Sequence, residues 1–523
     1  MPASRRLARC LMVQGSAAGV GKSVIATALC RVLAEEGFRV APFKAQNMSN
    51  NAAVTADGGE IGRAQAAQAE AAGIEPTVDM NPILLKPEAE DRSQLVVRGR
   101  VVGSFTAREH WARRSSLWPV VASSLRALRQ SHDVVVIEGA GSPAELNLRG
   151  HDLANMRVAR HARARVLLVG DIERGGIFAQ LLGTFDLLPP GERRLVAGLI
   201  VNKFRGDATL FEDGLRLLAR RSGVPVLGVL PYEPRLPVPP EDSQSLDDRA
   251  PAAVGAVRVG LVAYPRISNF DDLDPLRAAG LAVDVVRTPG DLGLPDLVVL
   301  PGSKATIADL EWLRRTGLAT AIVRAAAAGI PIVGICGGFQ MLGERLDDRD
   351  AIEGRARTVA GLGLLPARTR FRAPKVTRRV AGRVIAQDGE LLPAGTAFSG
   401  YEIHTGVTDL GSAQPFASVQ VGSAGEAHPD GAISEDGLVL GTYVHGLFGS
   451  PAIVDALVGA LWRRRGWGAA PWSQVSDTFA PLAAWFRRGV DVGAILAMVR
   501  GASPYGQPDD SAGLPRRTAG STR

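Results

Sequence analysis

Gly15-Ser-Ala-Ala-Gly19-Val-Gly21-Lys22-Ser23 joins a short apolar run, Cys10 to Gln14, to a stretch of helical periodicity, Lys22 to Glu36. A glycine-rich string between a strand and a helix lets backbone N–H groups approach phosphate oxygens at the positive end of the helix dipole. Gly19 and Gly21 permit that approach, Lys22 supplies charge to the β- and γ-phosphates, and the Ser23 hydroxyl is a candidate Mg²⁺ ligand. Counted from Gly15 the string is one residue longer than GxxxxGK[ST], but its Gly-Lys-Ser end and its setting are intact.

β-Branched runs alternating with Ala/Leu/Arg segments predict buried parallel strands joined by crossover helices. Strands are expected at 10–14, 39–43, 133–137, 165–169, 195–201 and 224–230, with helices at 22–36, 60–72, 117–129 and 209–221. Glu138 closes one strand at the carboxyl edge of the predicted sheet, where phosphates bind, and is a second candidate metal ligand; Asp57 and Glu60 are others. Asn202 ends a strand at the same edge, where its amide is a candidate for reading adenine. Near Tyr232 the texture turns to Pro234, Pro237, Pro239 and Pro240 without periodicity, and a second strand and helix series starts at Val257. The chain thus divides into a domain at 1–235, a linker at 236–256, a second domain at 257–450, a helical segment at 451–500 and a disordered tail at 501–523.

The 523 residues are enough for about three domains of the usual ~150 residues. With 46% hydrophobic and 22% charged residues, a mostly disordered chain is excluded. A net charge of +7, modest over this length and built from Arg scattered along the chain, argues little for nucleic acid and suits anionic small substrates; no nucleic-acid partner is expected. Cys10, Cys30 and Cys336 form no disulfide framework and no metal-ligand spacing, no signal peptide is visible, and no run reaches the ~18 apolar residues of a membrane span. The expectation is a cytoplasmic protein with no membrane partner; a homo-oligomer is left open.

Pro331-Ile-Val-Gly-Ile-Cys336-Gly-Gly338-Phe-Gln340 runs from strand through a tight turn into helix, an arrangement that exposes a nucleophile and offers it N–H groups. The base candidate is His445, at a strand end 109 residues later; His404 competes with it.

The loop variant, Lys44 at the end of the second strand and the Glu138-Gly-Ala-Gly141 string resemble the dethiobiotin-synthetase-like branch of P-loop enzymes, whose members phosphorylate a substrate carboxylate. The resemblance gives Lys44 the role of meeting that carboxylate and phosphate. Residues 257–449 resemble the class I glutamine amidotransferase domain, of flavodoxin-like α/β fold. That likeness implies that Cys336 attacks the glutamine carboxamide and that Gly302, in Leu300-Pro-Gly302-Ser303, and Gly337 form the oxyanion hole. The usual triad carboxylate two residues after the histidine is replaced by Leu447, so a Cys336/His445 dyad is expected, with the group that orients the imidazole open.

Phe43-Lys-Ala-Gln46-Asn47-Met-Ser-Asn50-Asn51, Ile61-Gly-Arg63-Ala-Gln65, Met80-Asn81-Pro, Ser93-Gln94 and Gly170-Asp171-Ile-Glu173-Arg174-Gly-Gly176 extend the resemblance to the corrinoid amidotransferases of cobalamin biosynthesis. It implies amidation of the b, d, e and g carboxylates of adenosylcobyrinic acid a,c-diamide, with ATP, Mg²⁺ and glutamine consumed, and places Lys44, Gln46 and Asn47 at the substrate carboxylate. The alternatives are the sister enzyme that amidates the a and c carboxylates, and a non-catalytic P-loop partner protein.

Overall fold

The computed structural model describes residues 7–234, 236, 238, 257–387, 389–422, 425–468 and 477–501. All but two residues of the expected linker, and the expected tail beyond Gly501, lie outside the described residues. The chain forms two compact units, one of residues 1–43, 125–233 and 479–523, the other of residues 44–124 and 234–478.

The first unit is built on six parallel strands in the order Val226–Pro231, Val196–Phe204, Arg165–Asp171, Arg9–Gly15, Val134–Glu138, Val40–Phe43. Val134–Glu138 is buried at every position, which is why it reads as a continuous Val/Ile run. The end of the expected helical segment forms two helices, Ala480–Gly489 and Val492–Arg500, because Val490 leaves the helix to bridge Gly228 and Asp491 caps the second piece, accepting from the Ala494 N–H at 2.9 Å.

The second unit holds a six-stranded sheet in the order Ala282–Val286, Arg258–Val262, Leu297–Leu300, Ile332–Ile335, Val439–Thr442, Ala432–Ile433, parallel except for the last strand. A seven-stranded sheet contains the long strands Arg368–Val384 and Ala397–Asp409. One apolar core runs continuously from Val257 to Leu461. Residues 44–124 add a four-stranded sheet, Gln46–Met48, Ile83–Pro87, Arg92–Val97 and Arg100–Thr106.

Residues 44–124 pack in the same compact unit as the second α/β series, and the segment 451–500 is divided between the units. One expectation is corrected here. The helix expected over 60–72 begins only at Arg63, because Glu60–Gly62 pairs as a strand with Ala52–Val54.

Candidate functional site

Cys336 sits between strand Ile332–Ile335 and helix Gly337–Leu342 with φ 52° and ψ −107°. A non-glycine residue held at positive φ is strained, and strain of this kind is kept where it aims a nucleophile. The glycines that follow make the turn possible: a Cβ on Gly338 would lie 1.9 Å from the Leu300 carbonyl oxygen, and one on Gly337 2.8 Å from the Ser303 nitrogen. The Gly338 N–H donates to the Pro301 carbonyl at 3.0 Å, locking the Leu300–Ser303 loop against the elbow. The Ser303 hydroxyl adds a 2.6 Å bond to Asp309, and Tyr264 donates its hydroxyl proton to Pro301. The structure therefore packs the Gly302 loop directly against Gly337 and Gly338 of the elbow.

His445 and Cys336 line one cavity. The group that orients the imidazole is Asp272, whose Oδ2 lies 2.7 Å from His445 Nδ1 while its Oδ1 accepts the Gly446 N–H at 2.8 Å. Both side chains are 2% exposed, so the pair is held out of water. Burial pushes the His445 pKa down, but the Asp272 carboxylate outweighs it and the Cys336 thiol adds to the rise, leaving it pushed up to about 10. With Nδ1 fixed on Asp272, Nε2 is the nitrogen left for the thiol. Asp272 thus stands at the place left open beside the expected Cys336/His445 pair. Leu447, at the usual carboxylate position, is buried apolar packing.

His404, the competing base, lines the same cavity. It stacks on Tyr443 with ring centroids 3.9 Å apart, Nδ1 contacts the Gly406 carbonyl oxygen at 2.8 Å, and burial drives its pKa down to about 4. The other two thiols are structural, since burial pushes Cys10 up to about 11 and Cys30 further.

The loop carrying Asp272 is supported by residues 44–124. Asn51 Oδ1 accepts the Asn269 N–H at 2.8 Å, Asn269 donates its amide to the Ala52 carbonyl at 2.7 Å and to Tyr401 at 2.9 Å, and Arg63 pairs with Asp271 at 2.8 Å. Tyr401 in turn stacks on His445 at 5.5 Å.

In the first unit Gly19 and Gly21 adopt φ 72° and 98°, and a Cβ on Gly21 would meet the Asn202 amide at 2.2 Å. Lys22 Nζ donates to the carbonyls of Ala17 and Gly141 at 2.9 and 3.0 Å, the curled position of a phosphate-binding lysine. Ser23 donates to Glu138 Oε1 at 2.8 Å, so the expected metal-binding hydroxyl and carboxylate are adjacent. A hard oxygen pair beside a glycine loop fits Mg²⁺ held with a nucleotide phosphate. Asn202, the expected adenine reader, donates its amide nitrogen to the Val20 carbonyl at 2.8 Å, which holds it beside the glycine loop.

The remaining candidates lie in the second unit. Lys44 is buried and its backbone bonds Met80 and Asn81 at 2.8 and 3.0 Å. Gln46 contacts His110 at 3.4 Å, and the Asn47 amide is committed to Gln65 at 3.0 Å and to the Met48 N–H at 2.8 Å. Asp57 is exposed in the turn between Ala52–Val54 and Glu60–Gly62, accepting from Thr55. Glu60 is not a metal ligand: it is buried between Lys86 at 2.5 Å and Lys375 at 2.6 Å, and although burial raises its pKa the two ammonium groups hold it well below the carboxylate range. Among the described residues no group of three or more His, Cys, Asp or Glu side chains forms a metal cluster.

Fold and site together define a nucleotide-binding P-loop unit joined in one chain to a cysteine-dependent glutamine amidotransferase. Residues 11–246 match the CobQ/CobB/MinD/ParA nucleotide binding domain and residues 258–453 the CobB/CobQ-like glutamine amidotransferase domain. The chain is 52% identical to the cobyric acid synthase of Desulforudis audaxviator over 469 residues, covering 89% of this chain and 93% of that protein. It is 50% identical to that of Sorangium cellulosum, covering 87% and 91%, and 48% identical to that of Herpetosiphon aurantiacus, covering 91% and 95%. The chain belongs to the cobyric acid synthase family, and is an amide-forming, glutamine-dependent ligase.

Proposed function

We propose that this enzyme converts the b, d, e and g carboxylates of adenosylcobyrinic acid a,c-diamide to amides in the cytoplasm, using ATP, Mg²⁺ and glutamine. The observation that carries the glutaminase half is the buried Cys336–His445–Asp272 arrangement. Cys336 Sγ attacks the glutamine side-chain carbonyl, and Gly302 and Gly337 face the oxygen as it takes charge. His445 Nε2 returns a proton to the leaving nitrogen, the C–N bond breaks and ammonia departs. Water then hydrolyses the thioester, giving glutamate and the free thiol.

In the other half Gly19, Gly21 and Lys22 hold the phosphates, and Ser23 and Glu138 would hold Mg²⁺, which supplies charge neutralisation at the transferring phosphoryl group. Attack by a substrate carboxylate oxygen on the γ-phosphorus releases ADP and forms an acyl phosphate. Ammonia then adds to the acyl carbon and inorganic phosphate leaves. Lys44 and Gln46 are proposed to receive the carboxylate; Asn47 and Asp57, which are committed to internal partners, hold the local fold. The test is mass spectrometry of adenosylcobyrinic acid a,c-diamide after incubation with the enzyme, MgATP and glutamine. Conversion to the tetra-amidated product is expected; glutamine hydrolysis with no change in corrinoid mass would overturn the substrate assignment.

A further inference from the structure

The cavity that holds Cys336 and His445 is also lined by Lys86, Lys304 and Lys375. These are not surface lysines: their side chains are 4%, 16% and 15% exposed. Glu60, which pairs with Lys86 and Lys375, and Glu88, which pairs with Lys304 at 2.9 Å, are not part of the cavity wall, so the acids stand behind the ammonium groups. Three ammonium groups thus face a poorly solvated cavity with their partner acids set behind them, an arrangement that favours an anion on the open side. One acid, Glu353, does stand on the wall: its two oxygens accept the Thr306 and Ile307 N–H groups at 3.1 and 2.9 Å, and burial raises its pKa while those bonds and Lys304 lower it.

Each ammonium has three N–H donors, and the described structure gives one from each to an acid. Burial, against the pull of Glu60, drives the Lys375 pKa down to about 8, with Lys86 and Lys304 adding to the fall. The thiol attacks the side-chain amide of glutamine, so the other end of that substrate brings one α-carboxylate into the same cavity. We propose that Lys375, Lys304 and Lys86 form the receptor for the α-carboxylate of glutamine, and that the pocket is composite. Lys86 belongs to the stretch matched by the nucleotide-binding domain, whereas Lys304 and Lys375 belong to the amidotransferase match. Glu60, also from the nucleotide-binding match, is the positioning residue that holds Lys86 and Lys375 together.

This inference rests on the glutaminase reading, and calorimetry on the full-length Cys336→Ser protein separates the two. L-glutamine and L-glutaminamide, in which the α-carboxylate is a neutral amide, are titrated against it and against Cys336→Ser/Lys375→Met and Cys336→Ser/Lys304→Met. The Lys304 variant leaves the Glu60 pair untouched and guards against a folding defect, which thermal unfolding of each protein checks. The expected result is about tenfold tighter binding of glutamine than of glutaminamide by Cys336→Ser, falling to about twofold or less in either lysine variant. An equal preference in all three folded proteins, whether present or absent, overturns the receptor while leaving the glutaminase reading in place. No binding of either ligand by Cys336→Ser overturns both.

Discussion

At the scale of single residues, the site turns on Asp272. Asp272→Asn keeps the size of the side chain but removes the charge that sets the His445 tautomer, and glutamine-dependent turnover is expected to fall on the order of 10²–10⁴-fold, by analogy with loss of the orienting carboxylate in serine proteases. Ammonium-supported amidation should survive, and comparing the two nitrogen sources checks it. The same pair makes stability depend on pH. His445 is raised from its ordinary 6.5 to about 10, so its contribution is complete below pH 6.5 and lost as pH rises through 10. The stability difference between wild type and His445→Gln, measured by denaturant unfolding, should therefore be larger at pH 6 than above pH 10. Cys336 and His445 are legible in the sequence because a nucleophile elbow and its base carry local glycine and strand signatures. Asp272 is not, since it lies 173 residues before the histidine in an acidic turn that looks solvated, and only the fold shows that it is buried. Glu60 misleads for a related reason: a lone glutamate reads as a ligand candidate, and the two lysines that claim it come from distant strands.

Among elements, the turn from strand Ile332–Ile335 into helix Gly337–Leu342 leaves no room for a side chain at Gly338. Gly338→Ala places a methyl group 1.9 Å from the Leu300 carbonyl oxygen, a backbone atom and not the far end of a flexible side chain. A loss of about 1–3 kcal/mol is expected, the range for overpacking, seen as a lowered melting temperature together with lost glutaminase activity. Most strands of both parallel sheets were readable, because strands buried on both faces are nearly continuous apolar runs. The hairpin and sheet elements of 44–106 were not, since short strands such as Gln46–Met48 carry polar side chains with no alternation. Helical periodicity over 60–72 overran a three-residue strand for the same reason: Glu60, Ile61 and Gly62 suit either state until their partner, Ala52–Val54, is known.

For the whole molecule, the polar strings between Lys44 and Gln94 have two uses. Some are substrate candidates, while Asn51, Glu60, Arg63 and Lys86 support the glutaminase site from within the same compact unit. Arg63→Ala is expected to cost about 1–3 kcal/mol, less than the loss of one partner from a fully buried pair because the Arg63 side chain keeps 21% exposure. Glutaminase activity should fall while nucleotide binding by the P-loop unit is retained; an unchanged glutaminase would show that the Asp271–Asp272 loop needs no such support. The central claim is a division of labour, with Cys336 supplying ammonia and the P-loop unit activating the carboxylate. Its most direct test is amidation of adenosylcobyrinic acid a,c-diamide by Cys336→Ser with MgATP, followed by mass spectrometry with glutamine or with an ammonium salt as nitrogen source. Amide formation with ammonium and none with glutamine is the predicted result; amidation from glutamine at the wild-type rate, or none from ammonium by a folded variant, would contradict it.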